Sequence, residues 1–289
     1  MIREKREYDG RTFEQLREHY EIEKKLADRL RSSSREERQH LYTDLYNELY
    51  RRVPQHPQLT RKLSPEDQRR AIDAQLRVLS PFLSKDKVFL EVGAGDCAVS
   101  FEVARIVRQV YALDISEAVI ETSTRPDNFA LILSDGCSMP VSADSIDVAY
   151  SNQLMEHVHP DDALEQLSSI HKVIAPGGAY ICRTPNRLKG PHDISRYFDR
   201  VATGFHLKEY STTELAALFR TAGFGKVTVH CRIRGRCFRV PLLIVRCLES
   251  VLAVLPYPLR KAIAWRTPFD QLLGIEIART KLPESGTSD

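Results

Sequence analysis

The 289-residue chain carries six cysteines, Cys97, Cys137, Cys182, Cys231, Cys237 and Cys247, with no C-x-x-C pair among them. Most sit in apolar segments, so neither a disulfide framework nor a zinc cage is expected, and a reducing cytosol is the natural home. A membrane-spanning run is missing too. The best candidate, Pro241 to Leu255, is interrupted by Arg246, Glu249 and Ser250, which are expected to share one narrow helical face, and is too short for a comfortable span. Behind Met1 to Glu7 there is no apolar h-region, so no secretory signal is expected. Charge of one sign does not dominate: 42 Lys and Arg stand against 39 Asp and Glu. Nucleic-acid binding is accordingly not expected. With 42% hydrophobic content the chain can bury a sizeable core, and one α/β domain with extensions suits its length better than two equal domains.

What the chain has is an apolar strand, Val88 to Val92, running into Gly93-Ala94-Gly95 with Glu91 just ahead of the first glycine. Glycines at such a turn let the backbone bend sharply and approach a ligand, and a helix predicted from about Asp96 to Val107 points its N-terminal amides at the same spot. The letters also fit the dinucleotide pattern G-x-G-x-x-A through Ala98. Asp114, at the end of the next strand about twenty residues on, suits a ribose in either kind of cofactor. Glu91 separates them. An acid there is poorly placed beside a pyrophosphate and well placed beside the ammonium of a methionine moiety. The plain alternative is a salt-bridged strand-end acid beside an ordinary tight turn.

Strands are expected near 87–93, 109–114, 129–134, 146–152 and 178–184 with helices between them, then a helix over Thr213–Ala222, a strand over Lys226–Cys231 and a last strand over Gly274–Ala278. That alternation specifies a parallel sheet with helices on both faces. Ligands in such sheets sit beyond the carboxyl ends of the strands, so Gly93, Asp114, Asp135, Asn152 and Thr184 should converge. Ahead of the core, the segment from Arg3 to about Arg52 reads as amphipathic helices with Leu41, Leu45, Tyr46 and Leu49 on a packing stripe. Ser64-Pro65 caps a further helix to about Leu79.

Several motifs together resemble the class I S-adenosylmethionine-dependent methyltransferases, specifically the type 11 group. They are Glu91-Val-Gly-Ala-Gly95, Val110 to Ser116 ending in Asp114-Ile115-Ser116, Ser134-Asp135-Gly136 to Pro140, Ile146 to Val158 containing Asn152 and His157, and His171 to Gly178. The likeness covers roughly 87–281. It implies a Rossmann-like seven-stranded sheet with the last strand antiparallel beside the fifth, S-adenosyl-L-methionine as cofactor, and Glu91, Gly93, Gly95, Asp114, Ile115, Asp135, Gly136 and Asn152 as cofactor-binding positions. It also implies N-terminal helices that cover the cofactor or acceptor cleft. One position departs: Cys97 stands where the family often has glycine.

The resulting expectation is an N-terminal helical extension over 1–64 and a methyltransferase domain over 65–289, with acceptor-side insertions at about 185–210 and 232–270. The first insertion is dense in polar and aromatic groups and is either a binding surface or a packed structural loop. The second, expected to be helical, carries eight basic residues against one acid before Asp270, which points to an anionic partner. Its apolar run reads either as a helix in a membrane interface or on a lipid tail, or as a buried helix or dimer contact.

The expected reaction is methyl transfer, with O-methylation of a small or lipid-linked acceptor, glycan-like or quinone-like, as the leading form. An NAD-linked oxidoreductase and a catalytically silent adaptor are the competing classes. The expected location is cytoplasmic, with peripheral association at the inner membrane face as an extension of it. A hydroxyl acceptor needs a general base, and His157 and His192 are the candidates. Each has a plainer role open to it, His157 as a helix cap or partner of the cofactor carboxylate and His192 as a loop strut. His157-Val-His159 followed by Asp161 and Asp162 invites a metal reading, but alternate histidines at a helix start make a poor cage, so no metal is expected.

Overall fold

Residues 9–60, 64–115, 125–233, 236–266, 269, 273 and 275–280 are described by the structure, a computed structural model. Strands β1 (Val88–Val92), β2 (Gln109–Asp114), β3 (Phe129–Leu133), β4 (Ile146–Asn152) and β5 (Ile174–Thr184) pair in parallel in the order β3-β2-β1-β4-β5. Beyond β5 the sheet turns antiparallel through β8 (Ile275–Thr280), β6 (Lys226–Ile233) and β7 (Arg236–Val240).

The period-two alternation of each strand divides the core into two layers. Phe89, Val110, Val148, Tyr150 and Ile181 face Val78 and Leu79 of α4 (Pro65–Leu79) and Val99 and Val103 of α5 (Ala98–Ala104). Leu90, Val92, Ala149 and Tyr180 face Leu167 and Ile170 of α6 (Ala163–Val173) and Leu215 and Phe219 of α7 (Thr212–Thr221). Burying each such side chain stabilises the fold by about 1.5–3 kcal/mol, enough to override weak local propensities.

The N-terminal helices form a third cluster. In α1 (Phe13–Arg31) Thr12 and Gln15 cap each other's backbone amides, and in α2 (Arg35–Arg52) Ser34 and Glu37 do the same, so both starts are fixed by their own sequence. Ile22, Leu26, Leu30, Leu45 and Leu49 pack with Phe205 and Leu207 of the first insertion. These two helices therefore sit over the loop at the carboxyl end of β5 rather than away from the sheet, and a one-turn helix, α3 (Pro57–Thr60), follows them.

Three features differ from the expected layout. Among the described residues the sheet has eight strands instead of seven, because Arg236–Val240 pairs antiparallel with β6 as β7, in register with Ile233 opposite Arg236. The second insertion is thus helical only from α8 (Leu242–Ala253) and α9 (Tyr257–Ala264) onward. No helix joins β3 to β4, where the Asp135 carboxylate accepts from the amides of Cys137 and Ser138 and locks a turn. The helix expected between β2 and β3 falls on 116–124, outside the described residues, as do Ser116, the first helical residues before position 9, and Gly274.

Candidate functional site

At the end of β1 the chain turns through left-handed backbone three times: φ is +72° at Gly93, +54° at Gly95 and +58° at Cys97. A Cβ at Gly95 would meet nothing within 4 Å, so this turn leaves an open cradle at the carboxyl edge of the sheet. A Cβ at Gly93 would lie 2.9 Å from Leu154, so that glycine is needed for packing against the loop after β4. Cys97 explains its own departure from the glycine pattern. Its backbone keeps the conformation a glycine would favour while the side chain is wholly buried beside Ala94 and Ala112. The helix that follows, α5, starts at Ala98 and ends at Ala104, shorter at both ends than expected.

Gly95 N donates to Asp114 Oδ2 at 2.8 Å, and Ile115 N donates to Asp114 Oδ1 at 2.8 Å. The strand-end acid is thus held rigidly across the turn, and carboxylate oxygens accept more than one donor each. Glu91 is buried at 5% exposure, accepts from Ser100 Oγ at 2.5 Å, and has its pKa pushed up to about 8 by burial, with Asp96 and Asp114 adding repulsion. Asp135 is held down to about 2 against its desolvation by the amides of Ser138 and Cys137 and by Arg35. Gly136 (φ +83°) faces Ile115, and Asn152 closes β4, partly buried. All the expected cofactor-side residues therefore lie along the carboxyl ends of β1 to β4. An open glycine cradle, a carboxylate held at ribose height by two amides and a desolvated acid fit an adenosyl sulfonium amino acid.

One residue past Asn152 begins a second site. Gln153, Glu156 and His157 line a cavity of about 390 Å³ together with His192, Asp193, Arg196 and Tyr197 of the first insertion and Arg11, His19, Glu23, Tyr46 and His56 of the N-terminal segment. Both expected base candidates are brought together here. His157 Nδ1 carries its hydrogen, since the carbonyl of Phe205 at 3.0 Å only accepts; Tyr46 Oη lies 2.9 Å from the same nitrogen. Burial, reinforced by the neighbouring His206, lowers the His157 pKa to about 3. His192 is different. Its Nδ1 lies 3.2 Å from Glu209 Oε2, its backbone amide donates to Glu209 Oε1 at 2.7 Å, and its ring stays partly exposed to the cavity. Glu209 is held down to about 2 despite its burial by the paired histidines.

Sequence reasoning missed Glu156 and His206 in this wall, Glu209 behind His192 and His206, and Arg11, His19, Glu23 and His56 opposite. Arg11, His19 and Glu23 fell on the segment read as amphipathic helices, where only the apolar stripe was informative, and His56 lies just past it. The signal available was Gly204-Phe-His206-Leu-Lys-Glu209, a histidine and an acid three apart in a loop already singled out. His159 does not line the cavity: its amide donates to Tyr42 Oη at 2.8 Å, and its Nε2 lies 3.3 Å from Arg31 O.

The apolar run of the second insertion is laid down differently from its pattern. Glu249, expected on a polar face with Arg246 and Ser250, points inward. It accepts from Asn186 Nδ2, the amides of Thr212 and Thr213 and Thr213 Oγ1, which ties α8 to the start of α7. Arg246 and Ser250 are exposed. Turning the acid inward turns Leu243, Ile244, Val251 and Val254 outward, the last 82% exposed. No helix among the described residues is long and apolar enough to cross a membrane.

Comparison with known proteins agrees with this geometry. A family model described as a methyltransferase domain matches residues 65–229. A "Probable S-adenosylmethionine-dependent methyltransferase" of Mycolicibacterium smegmatis is 30% identical over 136 residues, 47% of this chain and 51% of that protein. The chain thus spans about half the length of this curated relative. Among solved structures, phosphoethanolamine N-methyltransferase 1 of Haemonchus contortus, bound to phosphoethanolamine and S-adenosylhomocysteine, superposes with a TM-score of 0.57. It is 16% identical, over 89% of this chain and 52% of that one. A possible histamine N-methyltransferase of Thermotoga maritima gives a TM-score of 0.52 at 16% identity, over 84% and 99% of the two chains. At that identity these two report a shared fold.

Proposed function

Because the chain belongs to the methyltransferase-domain family, we propose that it transfers the methyl group of S-adenosyl-L-methionine to a small acceptor held in the histidine-lined cavity. The observation that carries this reading is the adjacency of two sites on one loop: Asn152 ends the donor edge and Gln153 opens the acceptor cavity. The donor, when bound, supplies an electrophilic methyl on a sulfonium whose positive charge is lost as transfer proceeds.

The chain's own residues do the rest. Glu91 meets the methionine ammonium and is re-ionised by it. Asp114 accepts from the ribose hydroxyls while Gly95 and Ile115 amides hold it still. Asp135 and Gly136 shape the adenine side, and Ile115 packs beside Gly136. The N-terminal segment over 1–64 acts as a lid that keeps water from the cavity, which strengthens alignment and electrostatics there. The methyltransferase domain proper runs from 65.

The acceptor atom is an oxygen and His192 is its base. The Glu209 carboxylate orients His192 by its Nδ1–H, leaving Nε2 to take the acceptor proton. His157 suits that role less well, because a group whose conjugate acid is this strong holds a proton poorly near neutrality. A dinucleotide in the same turn is disfavoured because a pyrophosphate offers the buried Glu91 no ammonium to pair with. A lipid-linked acceptor is supported by the outward apolar face of α8 flanked by exposed Arg239, Arg246 and Arg266.

Calorimetric titration with S-adenosylhomocysteine and with NADH tests the donor: tight binding of the first and none of the second is expected. Methyl transfer from labelled donor to a panel of hydroxylated small molecules and lipid-linked sugars then tests the acceptor class. Failure to bind S-adenosylhomocysteine removes the proposal.

A further inference from the structure

Three side chains in the acceptor cavity stand apart from the groups around them. Glu156 is fully buried, and its Oε2 accepts from Thr184 Oγ1 at 2.7 Å while its Oε1 has no hydrogen-bond partner. A carboxylate oxygen sealed from water and left without a donor is costly, and the usual remedies are a hidden water or a cation. Next to it lie His157 and His206, and one ligand atom from each of the three residues falls within 4.8 Å of the other two.

The second contacts of these histidines decide what the first can do. His157 turns its Nδ1–H to the Phe205 carbonyl at 3.0 Å, and His206 turns its Nδ1 to Glu209 Oε1 at 2.8 Å. Both rings are thereby fixed by an oxygen behind them, with Nε2 left as the remaining nitrogen. Imidazoles that hold metals are oriented in this way, one nitrogen on a carbonyl or carboxylate and the other on the ion.

We propose that Glu156, His157 and His206 bind a divalent transition-metal ion, through Glu156 Oε1 and the two Nε2 atoms, with the remaining coordination position open to the acceptor cavity. Two imidazoles and one carboxylate suit zinc, cobalt or ferrous iron, whereas magnesium and calcium take oxygen ligands. Ligand atoms around a tetrahedral ion of this kind sit about 3.4 Å apart, so loading draws the three side chains together by about an ångström. Given the acceptor cavity proposed above, an acceptor hydroxyl is the group such an ion polarises.

The other His–Glu–His grouping in the cavity, His19, Glu23 and His56, does not qualify. His19 has both ring nitrogens occupied, Nδ1 by the Arg11 guanidinium at 2.7 Å and Nε2 by Glu23 at 2.7 Å, and the arginine already supplies the positive charge. It serves as the internal control.

The test is titration of chelator-treated full-length protein with zinc chloride, with cobalt chloride as a spectroscopic probe and magnesium chloride for comparison. One zinc per chain, a visible d–d band with cobalt and no uptake of magnesium are expected. Glu156→Gln and His206→Asn should abolish the stoichiometric uptake, and Glu209→Gln should weaken it about 10- to 100-fold by releasing His206. His19→Asn should leave it unchanged. S-adenosylhomocysteine affinity, measured on the same samples, reports folding and the donor site separately, so a lost metal with a retained donor distinguishes the two readings. No zinc on the wild-type chain, uptake that persists in both Glu156→Gln and His206→Asn, or uptake lost in His19→Asn overturns the proposal.

Discussion

Arg38 lies flat against Asp162, with Nε 2.7 Å from one carboxylate oxygen and Nη2 2.6 Å from the other, and both residues are buried. A bidentate pair sealed from water fastens α2 to the turn before α6, and with it the wall of the acceptor cavity to the sheet. Arg38→Ala leaves Asp162 without its fork, with Arg35 Nε 3.7 Å away as the remaining partner. Breaking such a pair costs about 3–5 kcal/mol. Chemical denaturation should show a loss of that order, and limited proteolysis should cut first in the N-terminal helices. An unchanged midpoint would mean that the lid is held by its apolar cluster alone.

The left-handed backbone at Cys97 yields a second expectation. Cys97→Gly fits the same conformation without strain and should keep S-adenosylhomocysteine affinity within a few fold, whereas Cys97→Val puts a β-branched residue where φ is +58°. Calorimetry should find the donor site weakened at least about tenfold in the valine variant, consistent with strain of about 1–2 kcal/mol. Equal affinities in the two would show that the turn tolerates any side chain.

Glu91 makes the donor site sensitive to pH in a defined direction. Its folded pKa, about 8, lies above the 4.5 of the unfolded chain, so the folded protein binds the extra proton between those values. The resulting stability is fully present below pH 4.5 and is lost as pH rises through about 8. Thermal midpoints of the ligand-free protein should therefore carry a downward component across that window, and Glu91→Gln should remove it. An ammonium-bearing ligand should also displace a proton at pH 7, read as a buffer-dependent binding enthalpy in the wild type and not in Glu91→Gln.

Removing the ribose acid tests the other half of the cradle. Asp114→Ala should lower S-adenosylhomocysteine affinity about 10- to 100-fold, the range for losing charge-assisted hydrogen bonds. Asp114→Asn should fall in between, because an amide oxygen can still accept from one amide of the turn.

Replacing His192 or Glu209 should lower turnover to different degrees. His192→Asn should lower kcat about 10²- to 10⁴-fold with donor affinity unchanged, as expected for loss of a base. Glu209→Gln should lower kcat less, because it alters the orientation of His192 and not its presence. A His192→Asn enzyme with wild-type kcat would assign the proton to solvent or to another group.

The glycine turn and Asp114 were legible in the sequence because each is a local demand: a glycine for a left-handed φ, an acid at a strand's last residue. The Ser64-Pro65 start of α4 belongs to the same class. β7 was hidden because alternating arginines read as a charge run, and a strand that pairs only at the sheet edge needs no apolar face. Glu249 was misplaced on the helix wheel because its four backbone and side-chain donors come from α7 and Asn186, far away in the chain.

What the order of residues determined by itself is the proposed donor half, where strand, turn and acid lie within one contiguous unit and short-range geometry leaves few alternatives. The proposed acceptor half was decided only by tertiary structure. Its wall joins His157 after β4, His192 and His206 of the insertion, and Arg11 and His19 of the N-terminal segment. Polar side chains from distant segments carry no periodic signature, and they meet only once the burial of Leu26, Leu45, Phe205 and Leu207 has brought their backbones together.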